Sequence, residues 1–143
     1  MGQHKIMCNW KENMQFEAHD LQEHKVKIDI GKENGGDGAG FSPMPLVLVS
    51  LGGCMGVDVK LTLDKMREEI DDIKLEVIGE LDEDKKPRTY KKIIINFFIY
   101  GKDLKEEKIK RAIKIAETEL CNVSAMLSQI CELEYNAILK EVD

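Results

Sequence analysis

The sequence predicts an α+β domain with the element order βββ-α-ββ-αα-β, and three patterns carry that prediction. Apolar and polar side chains alternate through three short stretches before residue 31, as in strands with one buried face. The run from Leu46 to Val57 is apolar on nearly every side of a helix. Ile109, Ala112, Ile113, Ala116 and Leu120 recur at i, i+3, i+4, i+7 and i+11, the stripe of an amphipathic helix.

The first strand is read from Ile6, Cys8 and Trp10, the second from Met14, Phe16 and Ala18, and the third from Val26, Ile28 and Ile30. The pattern fits antiparallel sheets, and Lys11-Glu12-Asn13 supplies a hairpin turn. Gly31 to Gly40 follows as a mobile connector, because it lacks the Gly-Lys-Ser/Thr ending of a phosphate-binding loop. Phe41-Ser42-Pro43 opens a long central helix, with Pro43 and Pro45 where first-turn N–H groups have no helical acceptor. A helix apolar all round is buried all round, so this one should run from the centre of the structure to a polar end at Arg67-Glu68-Glu69. Ile73, Leu75 and Val77 alternate as a fourth strand, and after a charged turn Tyr90 to Tyr100 forms a fifth. Ile93 to Ile95 and Phe97 to Ile99 are apolar at consecutive positions, which predicts a strand covered on both faces. Asp103 and Glu106 have capping-box spacing for the second helix, and Asn122 or Ser124 can cap a short third one. Leu133, Tyr135 and Ala137 make the last strand, so residues 1–143 read as one domain.

Composition narrows the function classes. The 143 residues hold 21 Lys+Arg against 27 Asp+Glu, a formal net charge of −6, which argues against nucleic acid or an anionic membrane as partner. The most apolar stretch, Met44 to Val49, falls short of the roughly 20 residues of a bilayer span. With no targeting signal at the N-terminus, a cytoplasmic location with reduced thiols is expected. Cys8, Cys54, Cys121 and Cys131 are too few for a disulfide-rich scaffold, and no pair has the C-x-x-C spacing of a zinc knuckle. His4, His19 and His24 read as surface residues, so neither a metal nor a cofactor is expected. Cys8 and Cys131 read as packed strand residues.

Cys54 is different. Gly52-Gly53 precede it in the apolar half of the central helix, where each glycine costs about 1 kcal/mol relative to alanine. Such a cost suggests that a backbone or a ligand comes close beside the thiol, at Gly53. Met44 and Met55 are candidates to line an apolar pocket there.

Ser42-Pro43-Met44, Leu46-Val47-Leu48, Leu51-Gly52-Gly53-Cys54 and Asp58-Val59 together resemble the OsmC/Ohr family of organic hydroperoxide reductases. The family's second signature, Cys-x-Val-Ser after an amphipathic helix, is matched by Cys121-Asn122-Val123-Ser124, and Lys65-Met66-Arg67 resembles the shorter Gly-Gly-Cys subgroup. The resemblance implies a two-cysteine peroxidase acting on organic hydroperoxides. Cys54 would be the peroxidatic thiol, Cys121 the resolving one, and a small dithiol of the dihydrolipoyl type the reductant. It also implies an intertwined homodimer with antiparallel sheets around the buried central helices.

Two family positions are unmatched. Family reductases carry a glutamate within two positions after the proline that matches Pro43, where this chain has Met44 and Pro45. They also carry an arginine from the N-terminal sheet, and here no arginine precedes Arg67. Lys11, Lys25, Lys27 and Lys32 offer charge in that region without the guanidinium fork. Asp58, one helical turn after Cys54, disfavours a thiolate and reads as a structural hydrogen-bonding residue. These departures favour an alternative: a non-catalytic or weakly active dimer on the same scaffold that binds an apolar small molecule.

Overall fold

A computed structural model describes residues 2–143 and divides into two units, one ending at Val47 and one beginning at Leu48. In the first unit, β1 (Met7–Glu12), β2 (Gln15–His19) and β3 (Lys25–Ile28) form an antiparallel sheet in that order. The hairpin turn falls at Asn13-Met14, later than expected, because Asn13 takes the left-handed backbone (φ 45) that asparagine tolerates. The Trp10 indole N–H locks that turn by donating to the Asn13 carbonyl at 2.7 Å.

The alternating side chains of β1 gain little cover from their own unit. Ile6, Met7 and Phe16 are exposed, and Trp10 keeps 65% of its surface. Cys8 is exposed too, which corrects the expectation that it is packed. The alternation does give the pairing register, with Cys8 opposite Ala18 and Trp10 opposite Phe16.

The glycine-rich loop is likewise not a free connector. Asp29 is buried, and its carboxylate accepts the backbone N–H groups of Ile30 (2.7 Å), Asp37 (3.1 Å) and Ala39 (3.0 Å). These bonds, led by the one from Ala39, hold the carboxyl below its usual range. Asn13 Nδ2 bonds the Gly35 carbonyl and Gln15 Nε2 bonds Asp37 Oδ2, each at 2.9 Å, tying the loop to the hairpin. The glycines are what let the chain wrap so tightly around one carboxylate: a Cβ on Gly36 would run into the Ile30 carbonyl.

The central helix, α1, spans Pro45–Lys65. It ends before Arg67-Glu68-Glu69 because Arg67 turns left-handed (φ 57) and the Glu68 N–H reaches back to the Leu63 carbonyl at 3.0 Å, a Schellman-type stop. Leu51, Met55, Val59 and Leu63, spaced four apart, are fully buried and form its core ridge. Burial all round is not reached within one chain, since Val47, Val49, Leu61 and Val57 (61%) remain exposed. By length and composition α1 could cross a membrane, which corrects the estimate from Met44 to Val49 alone; its ridge is that of a core helix.

β4 (Asp72–Leu81), β5 (Tyr90–Gly101) and β6 (Glu132–Glu141) form the second sheet in that order. β4 and β5 are antiparallel, but β6 runs parallel to β5, with Ile95 opposite Tyr135. The sheet is therefore mixed rather than antiparallel throughout. The physical reason is the crossover of α2 (Glu106–Ile115), a π-helical turn (Ala116–Leu120) and α3 (Asn122–Leu127), which carries the chain back before β6 begins. Ile93, Ile95, Phe97 and Ile99 point into the core with Ile109, Ala112 and Ile113 of α2. The other face of β5 is only half-buried and carries a polar ladder: Asn96 Nδ2 donates to Glu76 Oε1, and Asn136 Nδ2 to Asn96 Oδ1, each at 2.9 Å. The expected cover on both faces is thus absent from the single chain.

The start of α2 corrects the capping-box expectation. Asp103 sits in a left-handed turn (φ 53) and the Lys105 cap makes no side-chain bond. Carboxylates distant in sequence serve instead: Glu141 accepts from the N–H of Asp103 (3.1 Å) and Leu104 (3.2 Å), and Glu68 from that of Lys105 (3.3 Å).

Candidate functional site

Cys54 lies on α1 and Cys121 begins α3, and folding brings their sulfurs to 2.9 Å across 67 residues of sequence. The π-helical turn positions the second thiol. It widens the end of α2 so that the Cys121 N–H bonds the Ala116 carbonyl at 2.8 Å, and the chain then leaves in an extended conformation at Cys121 (φ −78, ψ 108). Cys121 itself caps α3, its Sγ accepting the Ser124 N–H at 3.3 Å, where Asn122 or Ser124 was expected to cap. Buried Ser124 reinforces this corner by donating its hydroxyl to the Cys121 carbonyl at 3.2 Å.

The thiols form part of a hydrogen-bonded chain. Ser124 N–H donates to Cys121, Cys121 to Cys54, and Cys54 to Asp58 Oδ2 at 3.7 Å. Cys121 is 3% exposed and Cys54 is half-buried, so Cys54 is the thiol that solvent reaches more readily. Of the paired glycines, Gly52 answers to packing: a Cβ there would lie 3.1 Å from Val77 Cγ2 on β4. Gly53 does not, since a Cβ there would meet nothing within 4 Å. Met55 belongs wholly to the core and lines no open pocket; Met44, half-buried, precedes α1 in the first unit. Cys131, half-buried just before β6, donates to the Leu127 carbonyl at 3.5 Å.

The electrostatics oppose ionisation of Cys54. Burial pushes its thiol above the ordinary range, and the adjoining Cys121 thiol and Asp58 carboxylate push the same way, while the Val123 backbone N–H pulls it down. None of these groups is cationic. A raised pKa keeps the thiol protonated through neutrality, and the thiolate population grows tenfold per pH unit until that pKa is passed. Alkylation of Cys54 by iodoacetamide, followed by peptide mass from pH 6 to 10, should therefore keep rising beyond pH 9. A plateau below pH 8 would show an activating cation that the chain alone does not supply.

Ser124 is legible in the sequence only as part of the Cys-x-Val-Ser signature, and Tyr135 is not legible as a site residue. Tyr135 Oη is buried without a hydrogen-bond partner among the described residues, and burial pushes its pKa up to about 12. Its only sequence signal was a strand position. An open apolar groove of about 540 Å³ runs between α1 and β4, lined by Val57, Leu61, Ile70, Ile73 and Leu75 among others; Cys54 is not one of its walls.

This geometry has counterparts. Residues 35–136 match the family model described as OsmC-like protein. Protein YhfA of Escherichia coli (strain K12) is 31% identical over 127 residues, covering 89% of this chain and 91% of its own. The crystal structure of a hypothetical protein from Aquifex aeolicus VF5 superposes with a TM-score of 0.86 at 28% identity, covering all of both chains. An organic hydroperoxide resistance protein OsmC from Legionella pneumophila shares the fold at a TM-score of 0.72, with 12% identity over 96% of this chain and 97% of that one. With the family model matched over most of its length, the chain belongs to the OsmC-like protein family.

Proposed function

We propose that the protein reduces organic hydroperoxides through Cys54 and Cys121. The observation that carries this reading is the 2.9 Å separation of the two sulfurs, with the less buried one on α1. The Legionella pneumophila relative in fold, named for organic hydroperoxide resistance, supports the substrate class. The Cys54 thiolate attacks the distal peroxide oxygen; the O–O bond breaks, the alkoxide takes a proton and leaves as an alcohol, and Cys54 becomes a sulfenic acid. The Cys121 thiol then displaces hydroxide from that sulfur, forming the disulfide and releasing water. A small dithiol of the dihydrolipoyl type restores both thiols by exchange. The open side of Gly53 is where the peroxide approaches.

The working unit in this reading is a homodimer. The exposed apolar face of α1 and the exposed β1 supply the surface for a second copy to cover. The test takes reduced protein, which should sediment at twice the 16.3 kDa chain mass, and adds an alkyl hydroperoxide. Two thiols per chain should disappear, with loss confined to Cys54 and Cys121 by peptide mass, and Cys54→Ser should abolish it. Retention of both thiols under excess peroxide would sink the proposal. The rival reading, a weakly active or non-catalytic dimer binding an apolar small molecule, draws on the groove along α1 and on the lack of any cationic group, among the described residues, acting on the Cys54 thiol.

A further inference from the structure

Cys54 Sγ, Cys121 Sγ and an Asp58 carboxylate oxygen all lie within 4.8 Å of one another. The Asp58 side chain has the Cys54 thiol as its hydrogen-bonding neighbour, and no described lysine, arginine or histidine forms an ion pair with it. In a peroxidase that arrangement is unhelpful, because a carboxylate faces the sulfur that must become negative. Two thiols and a carboxylate converging without a cationic side chain among the described residues have the composition of a ligand set for a soft or borderline metal ion.

The geometry points to a site for a borderline-soft divalent cation of the Zn(II) class, held by Cys54, Cys121 and Asp58 in the reduced protein and abolished when the two cysteines form a disulfide. Two thiolates and one carboxylate suit tetrahedral Zn(II), with a fourth position left for water. Zn–S bonds of about 2.3 Å and a Zn–O bond near 2.1 Å place such donors roughly 3.4–3.8 Å apart. The Cys54 to Asp58 distance of 3.7 Å already fits. The 2.9 Å between the sulfurs must open by less than about 1 Å, a small side-chain rotation for the half-buried Cys54. Binding expels the thiol protons to solvent, and the chain's three negative charges are then met by two positive ones. The ion occupies both sulfurs, so a loaded protein cannot form the disulfide until the metal leaves. Only that last consequence rests on the proposed peroxidase function; binding itself does not.

Co(II) serves as the probe, because thiolate ligation gives it an intense near-ultraviolet charge-transfer band that oxygen and imidazole ligands do not. Reduced full-length protein, titrated without oxygen, should develop the band with one equivalent per chain, and Zn(II) should bleach it. Prior oxidation with diamide, which forms the disulfide without any peroxidase activity, should prevent it, and so should Cys54→Ser. Asp58→Asn should weaken binding by at least about tenfold, no less than the loss of an outer-shell partner costs. Absence of the band, its survival in Cys54→Ser or after diamide, or unchanged affinity in Asp58→Asn would each overturn the site. Failure here with normal peroxide consumption of two thiols leaves the peroxidase standing, and the reverse outcome leaves the metal site standing.

Discussion

With Cys121 replaced by serine, each chain should consume two hydroperoxides in the absence of dithiol and then stop. A serine Oγ can still accept the Ser124 N–H that Cys121 Sγ accepts at 3.3 Å, so the cap of α3 and the corner after the π-helical turn survive. What disappears is the sulfur 2.9 Å from Cys54. The sulfenic acid formed on Cys54 then has no neighbouring protein thiol at 2.9 Å to condense with, and in the absence of dithiol a second hydroperoxide carries it to the sulfinic acid, which a dithiol does not reduce. Dithiol-supported turnover should fall well below the wild-type rate, because only the slower bimolecular attack of the dithiol on the sulfenic acid is left, while without dithiol intact mass shows one oxygen and then two added at Cys54. The wild type should show neither adduct, only the loss of two hydrogens. Turnover at the wild-type rate in Cys121→Ser would mean that another thiol resolves the sulfenic acid. Cys131, near the same corner, would be the first to examine.

The two thiols were legible because each sits in a local pattern: Gly-Gly-Cys in an apolar helix, and Cys-x-Val-Ser after an amphipathic one. Their approach to 2.9 Å was not, because it depends on a π-helical turn that no periodicity announces. Asp58 was legible as a neighbour of Cys54 through helical spacing alone. Element order followed from alternation and from the i, i+3, i+4 stripe, but strand direction did not. β6 is parallel to β5 only because two helices intervene, and alternation reads the same either way. Capping failed at Asp103 and at Asn122 for one reason. The nearest polar residue in sequence was assumed to serve the helix start, whereas the backbone donors were met by Glu141, Glu68 and Cys121. The glycine-rich loop differs from a free connector for the same reason, since its order comes from Asp29, which precedes it.

Phe97→Ala should be the most costly substitution in the second unit, at roughly 3–5 kcal/mol. Phe97 is the largest fully buried side chain, on β5 in the core cluster that includes Leu51 and Met55 of α1. Its removal leaves a cavity that two sheet neighbours and a helix cannot collapse into without breaking register. The melting midpoint should fall on the order of 10 °C, with the loss visible in urea titration as a lower midpoint at unchanged slope. Phe98→Ala is the decisive companion, because Phe98 is the next residue and faces the other side of the same strand, where it is half-buried. If the polar ladder face is open to water, Phe98→Ala should cost less than half as much. Equal costs would mean that the outer face of β5 is covered in solution, where the half-buried Ile94 and Phe98 flank Asn96.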